Sequence, residues 1–393
     1  MKTVSILGST GSVGRSTVDL IQFQSHMFDV QALTAQTNVD LLAEQAKLLK
    51  AKHAVIGDES LYQTLKDRLA GTDIEVAAGR QALIDAAGMD ADWIMAAIVG
   101  MAGLEPLMKA ITQGKAVAIA NKEPLVAAGP LVMAQAQRYG TKILPVDSEH
   151  NAIFQVFENQ NKTAILRLVI TASGGPFRAW AKEQMVRATP EQAVAHPNWS
   201  MGAKISVDSA SMMNKALEVI EAHYLFNMPA ESINVVVHPQ SIVHSMVEYA
   251  DGSFLAQLGA SDMRTPIAYA LAWPARMPTS GQRLDLTQLR RLDFEPLDHD
   301  RFPAVERAFA CLRAGQAACL VFNAANEVAV QAFLGKKIGF LAIHDVISDA
   351  LDHFDAPRSL QALEDILLLD QTVRQHSESY ILNNIHSLRH AGP

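Results

Sequence analysis

The chain has 393 residues, of which 49% are hydrophobic and 19% charged, with a formal net charge of −8. That length exceeds one ordinary core, so two or three domains are expected, and the apolar share fits packed globular domains rather than a disordered chain. The acidic balance without a basic run argues against nucleic acid as the main partner, and Gly, Pro or charge interrupts the apolar stretches before the roughly 20 residues of a membrane span.

At the N-terminus one Lys and a short apolar run meet Gly8 almost at once, which reads as a first strand rather than a signal peptide, and the cytoplasm is the expected compartment. From residue 1 to 146, apolar runs at 4–7, 30–33, 54–56, 93–96, 116–119 and 143–146 alternate with helical patterns. Such alternation predicts βαβ units and an α/β fold with a doubly wound parallel sheet.

The first strand runs into Gly8-Ser9-Thr10-Gly11-Ser12-Val13-Gly14 and then a helix. Small residues there let backbone amides approach a pyrophosphate at a helix N-terminus, although the GxxGxxG spacing departs from GxGxxG and a plain tight corner is the alternative. The second strand ends at Gln36-Thr37-Asn38, where a ribose-binding acid is expected for NAD and a cation for the NADP phosphate. Neither is present, so a preference for NADPH rests on polar contacts from these three residues. Asn121-Lys122-Glu123-Pro124 closes the strand at 116–119, at the end of the sheet where ligands bind. It reads either as a cofactor and substrate corner or as a helix cap with a solvated charge pair.

Asp147-Ser148-Glu149 follows the strand at 143–146. Carboxylates at i and i+2 share a face where the chain is extended, and a third acid on a helix would complete a three-oxygen cage for a hard cation. Capping of the next helix is the competing reading. Beyond 147 the pattern mixes helices with strands at 165–171, 235–238, 242–249 and 254–258, the last two joined by Asp251-Gly252, which predicts an α+β second domain to residue 274. Ser173-Gly174-Gly175-Pro176 can offer a hydroxyl and amides to an anion or be a plain turn. His196 to Gly202 places Trp199 and Met201 on a Pro- and Gly-bounded loop, suited to a lid, with a buried Trp anchor as the alternative. His238 and His244 read as structural.

A helix over 206–226 would carry Ser211, Asn214, Lys215, Glu218 and Glu221 on one arc of roughly 120°. That stripe is either a solvated face or a cation and phosphate grip. Residues 275–303 hold several Pro and charges and read as a linker, and 304–393 repeats apolar residues at helical spacing, as in Leu360, Leu363, Ile366 and Leu367, predicting a helical C-terminal domain. Cys311 and Cys319 stand outside any CxxC spacing and read as buried reduced thiols.

Taken together, GSTGSVG (8–14), ANKEPLV (120–126), LPVDSEHNAIFQ (144–155), ASGGPF (172–177), HPNWSMGAKISVDSASMMNKALEVIEA (196–222), HPQSIVHSMVEY (238–249), DMRTPIAYALAWP (262–274) and NAANE (323–327) closely resemble the 1-deoxy-D-xylulose 5-phosphate reductoisomerases of the non-mevalonate isoprenoid pathway. The resemblance implies an NADPH-binding domain (1–146), a catalytic and dimerisation domain (147–274) and a homodimer built on the second domain's sheet. It implies that Asp147, Glu149 and Glu218 bind Mg2+ or Mn2+, and that Ser148, Ser173, His196, Ser209, Asn214 and Lys215 hold a phosphorylated sugar beside Lys122. Thr10, Gly11, Ser12, Val13, Asn38, Asn121, Glu123 and Gly202 are then NADPH contacts, with Trp199 and Met201 closing the lid. Glu149 is the implied candidate base. Gln36 and Thr37 stand where the family carries Gly and then Lys or Arg, and Ala203 replaces a basic lid residue. From the residues alone, the rivals are a metal-free NADP-dependent sugar or inositol dehydrogenase and a silent nucleotide sensor.

Overall fold

The computed structural model describes residues 1–199, 201–355 and 357–389. Contacts divide the chain into two compact units, one formed by 1–124, 132–154 and 262–283, the other by 125–131, 155–261 and the chain from 284 onward.

The first unit is built on seven strands: β1 (Lys2–Leu7), β2 (Phe28–Ala35), β3 (His53–Ile56), β4 (Glu75–Ala78), β5 (Trp93–Ala96), β6 (Ala116–Ile119) and β7 (Lys142–Pro145). Their order is β4-β3-β2-β1-β5-β6-β7 and every pairing is parallel. The chain therefore winds outward from β1 on one side, then returns to its other edge. The reversal between β1 and β5 opens a crevice at the carboxyl ends of the strands, the usual ligand position in such sheets. Strand β4 is not evident in the sequence, because it lies at the sheet edge, starts at an exposed Glu75 and buries none of its residues fully, so its short Val76-Ala77-Ala78 stretch does not stand out.

The buried strand residues Val4, Ile6, Val30, Leu33, Trp93 and Met95 form one core with Leu20 and Ile21 of the helix Ser12–Phe23. Ile267 and Leu271 of the helix Arg264–Ala272 join that core, and Trp93 Nε1 donates to the Ala270 carbonyl at 3.0 Å. Each fully buried Leu or Ile of this kind contributes roughly 1.5–3 kcal/mol of transfer free energy. That explains why a segment so distant in sequence returns to this sheet.

In the second unit β8 (Ile165–Ala172), β9 (Ile233–Val237), β10 (Val243–Tyr249) and β11 (Phe254–Leu258) form a sheet in the order β11-β10-β8-β9. Strands β8 and β9 are parallel, and the other pairs antiparallel. Asp251-Gly252 turns β10 into β11 as expected, Gly252 adopting φ +86°. At the sheet edge, Phe254, Leu255 and Leu258 of β11 are exposed. The helices Ala304–Ala314, Gln316–Leu334, Ala342–His353 and Leu363–Asn383 belong to the same unit, with Phe177, Phe333 and Phe340 packed edge to face. Gln316–Leu334 is long and apolar enough by composition to cross a membrane, yet 78% of that stretch is buried inside the protein, so its apolar surround is core packing.

Two sequence expectations change. The helix expected over 206–226 is two helices, Ala203–Ala210 and Met213–Phe226, separated at Met212, whose φ of 61° interrupts the helical path. Periodicity does not register such a break, because it reports residue spacing and not the backbone dihedral of one residue. Residues 275–283 group with the first unit and 284–303 with the second, where Glu295 bridges backbone to backbone with Val237.

Candidate active site

At the carboxyl ends of the first unit's sheet, the glycine-rich turn is shaped by backbone crowding. Gly8 has φ +88°, and a Cβ on Gly14 would lie 2.2 Å from the Gly8 carbonyl oxygen, so a side chain at 14 has no room. Thr34 fixes the turn from β2 by accepting from the Gly8 amide at 2.9 Å. The helix Ser12–Phe23 then starts with no side-chain cap and no acid in its first turn. Its leading amides are left for an anion, which the helix dipole also favours. Thr10, Gly11, Ser12 and Val13 all lie on this turn or in the first helical residues, so the local donor set fits a pyrophosphate.

Gln36, Thr37 and Asn38 are exposed at the end of β2. Asn38 caps the helix Val39–Leu49 through its side chain, accepting from the Leu41 amide at 3.2 Å. Nearby, Leu7, Ala96, Ile98, Ile119, Asn121 and Pro124 line a small, largely apolar pocket at the ends of β1, β5 and β6. The Asn121 side chain donates to the Ile98 carbonyl. A flat uncharged ring suits such a lining. Glu123 is buried at the start of the helix Glu123–Tyr139.

Lys122 is buried, and its Nζ lies 2.5 Å from Asp147 Oδ2. Burial opposes ionisation of Asp147, but the Lys122 ammonium, with His150 and a hydrogen bond to Glu149, holds its carboxyl well below the usual range. The solvated charge pair considered for this corner is therefore wrong. The chain is also not extended here: the helix Ser148–Val156 begins at once, so Asp147 precedes it and Glu149 lies in its first turn. Ser148 Oγ donates to Glu149 Oε2 at 2.5 Å. Two carboxylates at a helix N-terminus are electrostatically favoured there, and their oxygens are the donor type a hard cation requires.

In the second unit the polar stripe of Met213–Phe226 is buried. Lys215, Glu218 and Glu221 are each at most 4% exposed, which rules out a solvated face. Asn214 Nδ2 donates to Glu218 Oε1 and Lys215 Nζ to Glu218 Oε2, both at 2.6 Å. Charges are costly to bury unless paired, so this cluster is held by its own hydrogen bonds.

Ser173, His196 and Ser209 meet around one turn of the same unit. His196 Nδ1 accepts from the Asn198 and Trp199 amides at 3.2 and 3.0 Å, which leaves the neutral ring's proton on Nε2, 2.9 Å from Ser173 Oγ. The Gly175 amide also donates to Ser173 Oγ, at 3.2 Å. With two donors already received, the Ser173 hydroxyl proton points to another acceptor. Gly175 has φ +65°, and a Cβ there would meet the Ser209 carbonyl oxygen at 2.6 Å, so the turn lies directly against Ser209. A turn built this way fits an anion better than it fits a plain bend.

The loop after His196 is tied down through Asn198, whose Nδ2 donates to Pro239 O at 2.7 Å and Ser241 Oγ at 3.1 Å. The Trp199 ring lies 6.0 Å from the His244 ring. Gly202 begins the helix Ala203–Ala210, Met201 is partly buried, and Ser200 lies outside the described residues. His238 is fully buried, donates through Nδ1 to Asp293 O at 2.8 Å and stacks on Phe294, in keeping with a structural role. Asn198, Arg178, Asp293 and Glu295 are not legible in the sequence. Their partners lie 41 to 117 residues away, and no local pattern marks them.

Comparisons with known proteins agree along the chain. Residues 4–129 match the family model described as 1-deoxy-D-xylulose 5-phosphate reductoisomerase, 143–226 that of its C-terminal domain, and 258–376 that of the DXP reductoisomerase C-terminal domain. The 1-deoxy-D-xylulose 5-phosphate reductoisomerase of Zymomonas mobilis is 55% identical over 373 residues, 95% of this chain and 96% of the relative. That of Rhodospirillum centenum is 56% identical over 382 residues, 97% and 94% of the two chains. A solved structure of the Zymomonas mobilis enzyme in complex with NADPH superposes with a TM-score of 0.92 at 53% identity, covering 97% of this chain and 99% of the other. A second, DOX-P reductoisomerase in complex with NADPH, fosmidomycin and magnesium, gives 0.93 at 42% identity, covering 97% and 98%. With more than half of all residues shared across almost the full length of both partners, the chain belongs to the 1-deoxy-D-xylulose 5-phosphate reductoisomerase family.

Proposed function

We propose that the chain converts 1-deoxy-D-xylulose 5-phosphate to 2-C-methyl-D-erythritol 4-phosphate, using NADPH and a divalent cation, through the residues described above. The observation that carries the residue assignment is the buried cluster of Glu218, Lys215 and Asn214, an anion with its own cation on one helix that apolar packing does not require. In this reading Asp147, Glu149 and Glu218 supply the oxygen ligands for Mg2+ or Mn2+. When bound, the cation polarises the keto oxygen and adjacent hydroxyl of the sugar as a Lewis acid, and NADPH provides the hydride that reduces the rearranged aldehyde.

The chain's own groups do the rest. Glu149 takes the hydroxyl proton that starts the carbon-skeleton rearrangement, with Ser148 orienting its carboxylate. Lys122 keeps Asp147 ionised and faces the substrate from the first unit's corner. Ser173, with His196, Ser209, Asn214 and Lys215, anchors the phosphate and so supplies binding energy remote from the reacting carbons. Trp199 and Met201 cover the bound sugar and exclude water. Thr10 to Val13 hold the pyrophosphate, Gln36, Thr37 and Asn38 the adenosine ribose, and Asn121, Glu123 and Gly202 the remainder of the cofactor.

The exposed apolar edge at Phe254, Leu255 and Leu258 supports a homodimer built on that sheet. Buried free thiols at Cys311 and Cys319 suit the reducing cytoplasm. The direct test is a spectrophotometric assay with 1-deoxy-D-xylulose 5-phosphate and NADPH, repeated with a chelator. Turnover that stops on chelation is expected, whereas chelator-resistant reduction would favour a metal-free dehydrogenase.

A further inference from the structure

The segment 291–301, which reads as linker, touches both pieces of backbone that shape the anion site in the second unit. Its Glu295 is fixed by reciprocal backbone hydrogen bonds with Val237 at 2.8 and 2.9 Å. From there its carboxylate accepts from Arg178 Nη1, at 2.8 Å to Oε1 and 3.0 Å to Oε2. Arg178 in turn lies over the anion turn: a Cβ on Gly174, which has φ +88°, would meet the Arg178 Cδ at 2.4 Å. Arg301 holds the other side of that stretch, donating through Nη1 to Arg178 O at 3.0 Å and Trp180 O at 2.7 Å.

Two residues before Glu295, Asp293 exchanges hydrogen bonds with Gln240. Gln240 Nε2 donates to Asp293 Oδ2 at 2.5 Å, and the Asp293 amide donates to Gln240 Oε1 at 3.2 Å. Gln240 sits inside the Pro239–Ser241 turn that receives Asn198. One segment thus reaches the Ser173 turn through Arg178 and the base of the His196 to Gly202 loop through Gln240.

We propose that Asp293 and Glu295 are positioning residues for phosphate recognition, Glu295 fixing the Ser173 turn through Arg178 and Asp293 fixing the loop base through Gln240. This rests on the function assigned above. The Arg178 and Glu295 side chains are 40% and 43% exposed, so their pair adds little to global stability. What it packs against is the backbone at Gly174, next to Ser173, and small displacements of a binding group are felt strongly by the ligand.

The test is steady-state kinetics with 1-deoxy-D-xylulose 5-phosphate on the Mg2+-loaded full chain. Glu295→Ala should raise KM for the sugar phosphate about fivefold to tenfold while KM for NADPH, kcat and Tm stay near wild type. Glu295→Asp, which keeps the carboxylate, should recover most of that loss, and Asp293→Ala should show the same split. Should Glu295→Ala fail to fold, Glu295→Gln is judged by the same split between the two KM values. An unchanged KM for the sugar phosphate overturns the proposal, as does an equal rise in both KM values accompanied by a fall in Tm. Wild-type enzyme that does not turn over this substrate overturns the function assigned above instead.

Discussion

The two units build their binding surfaces in opposite ways. In the first, the feature proposed to receive the cofactor is local: a strand, a crowded glycine turn and an uncapped helix, whose available donors belong to the backbone. In the second, the groups proposed for recognition are buried side chains, Lys215 and Glu218 among them, and a turn next to Arg178, whose partner Glu295 lies more than a hundred positions away. Backbone donors need only a path free of Cβ atoms, whereas buried charges need partners arranged in three dimensions. The first kind of site therefore tolerates side-chain change but not added bulk, whereas the second depends on the identity of its charged side chains.

The hardest blow to that contrast should come from Glu218→Gln, which barely changes volume. Loss of several kcal/mol of charge stabilisation corresponds to a fall in kcat on the order of a thousandfold. Near-normal kcat with Mg2+ in a folded variant would remove Glu218 from the metal site. In the first unit the equivalent strike is steric. Gly14→Ala, whose Cβ would lie 2.2 Å from Gly8 O, should weaken NADPH binding about a hundredfold in a fluorescence titration, since the turn itself must move. Retained affinity would show that the turn adapts.

A third test separates the units by pH. Burial, then the charges of Arg307 and Lys182, push His344 in the second unit down to about 3. Because its folded pKa is depressed, the unfolded chain binds more protons between pH 6.5 and 3, so stability is complete above about 6.5 and declines below it. The slope from this one group is at most ~1.4 kcal/mol per pH unit. His344→Gln should lose less urea resistance than wild type between pH 7 and pH 5, and parallel losses would dismiss the assignment. The smallest effect is expected at the ribose end, where Thr37→Arg adds the missing cation. Affinity for NADPH should rise about fivefold with NADH unchanged, the gain of one exposed charge-assisted contact. A rise for both cofactors would place residue 37 away from the 2′-phosphate.

Legibility followed the same division. Six of the seven parallel strands, the glycine turn and the Asn121 to Glu123 corner are visible in the sequence, because their signals are apolar runs and turn residues close along the chain. The exposed edge strand β4 is not. Asp147 and Glu149 are legible as acids at a strand end, but their placement on a helix start rather than an extended segment requires the fold. The stripe over Asn214, Lys215 and Glu218 is legible, while its burial and the break at Met212 are not. Periodicity reports which residues share a face and is silent on what covers it.

By itself, then, the amino-acid order determined the doubly wound domain, the second α+β domain, the helical C-terminal part and, through its motifs, the family. Tertiary structure alone decided which polar stripe is buried, that the Lys122 ammonium depresses Asp147, and that Ser173 meets His196 while Gly175 of the same turn lies against Ser209. It also turned 291–301 from a connecting stretch into a brace against Arg178 and Gln240. The reason is physical. Strand and helix preferences are written within a few residues, whereas desolvation and the pairing of charges depend on neighbours that only folding brings close.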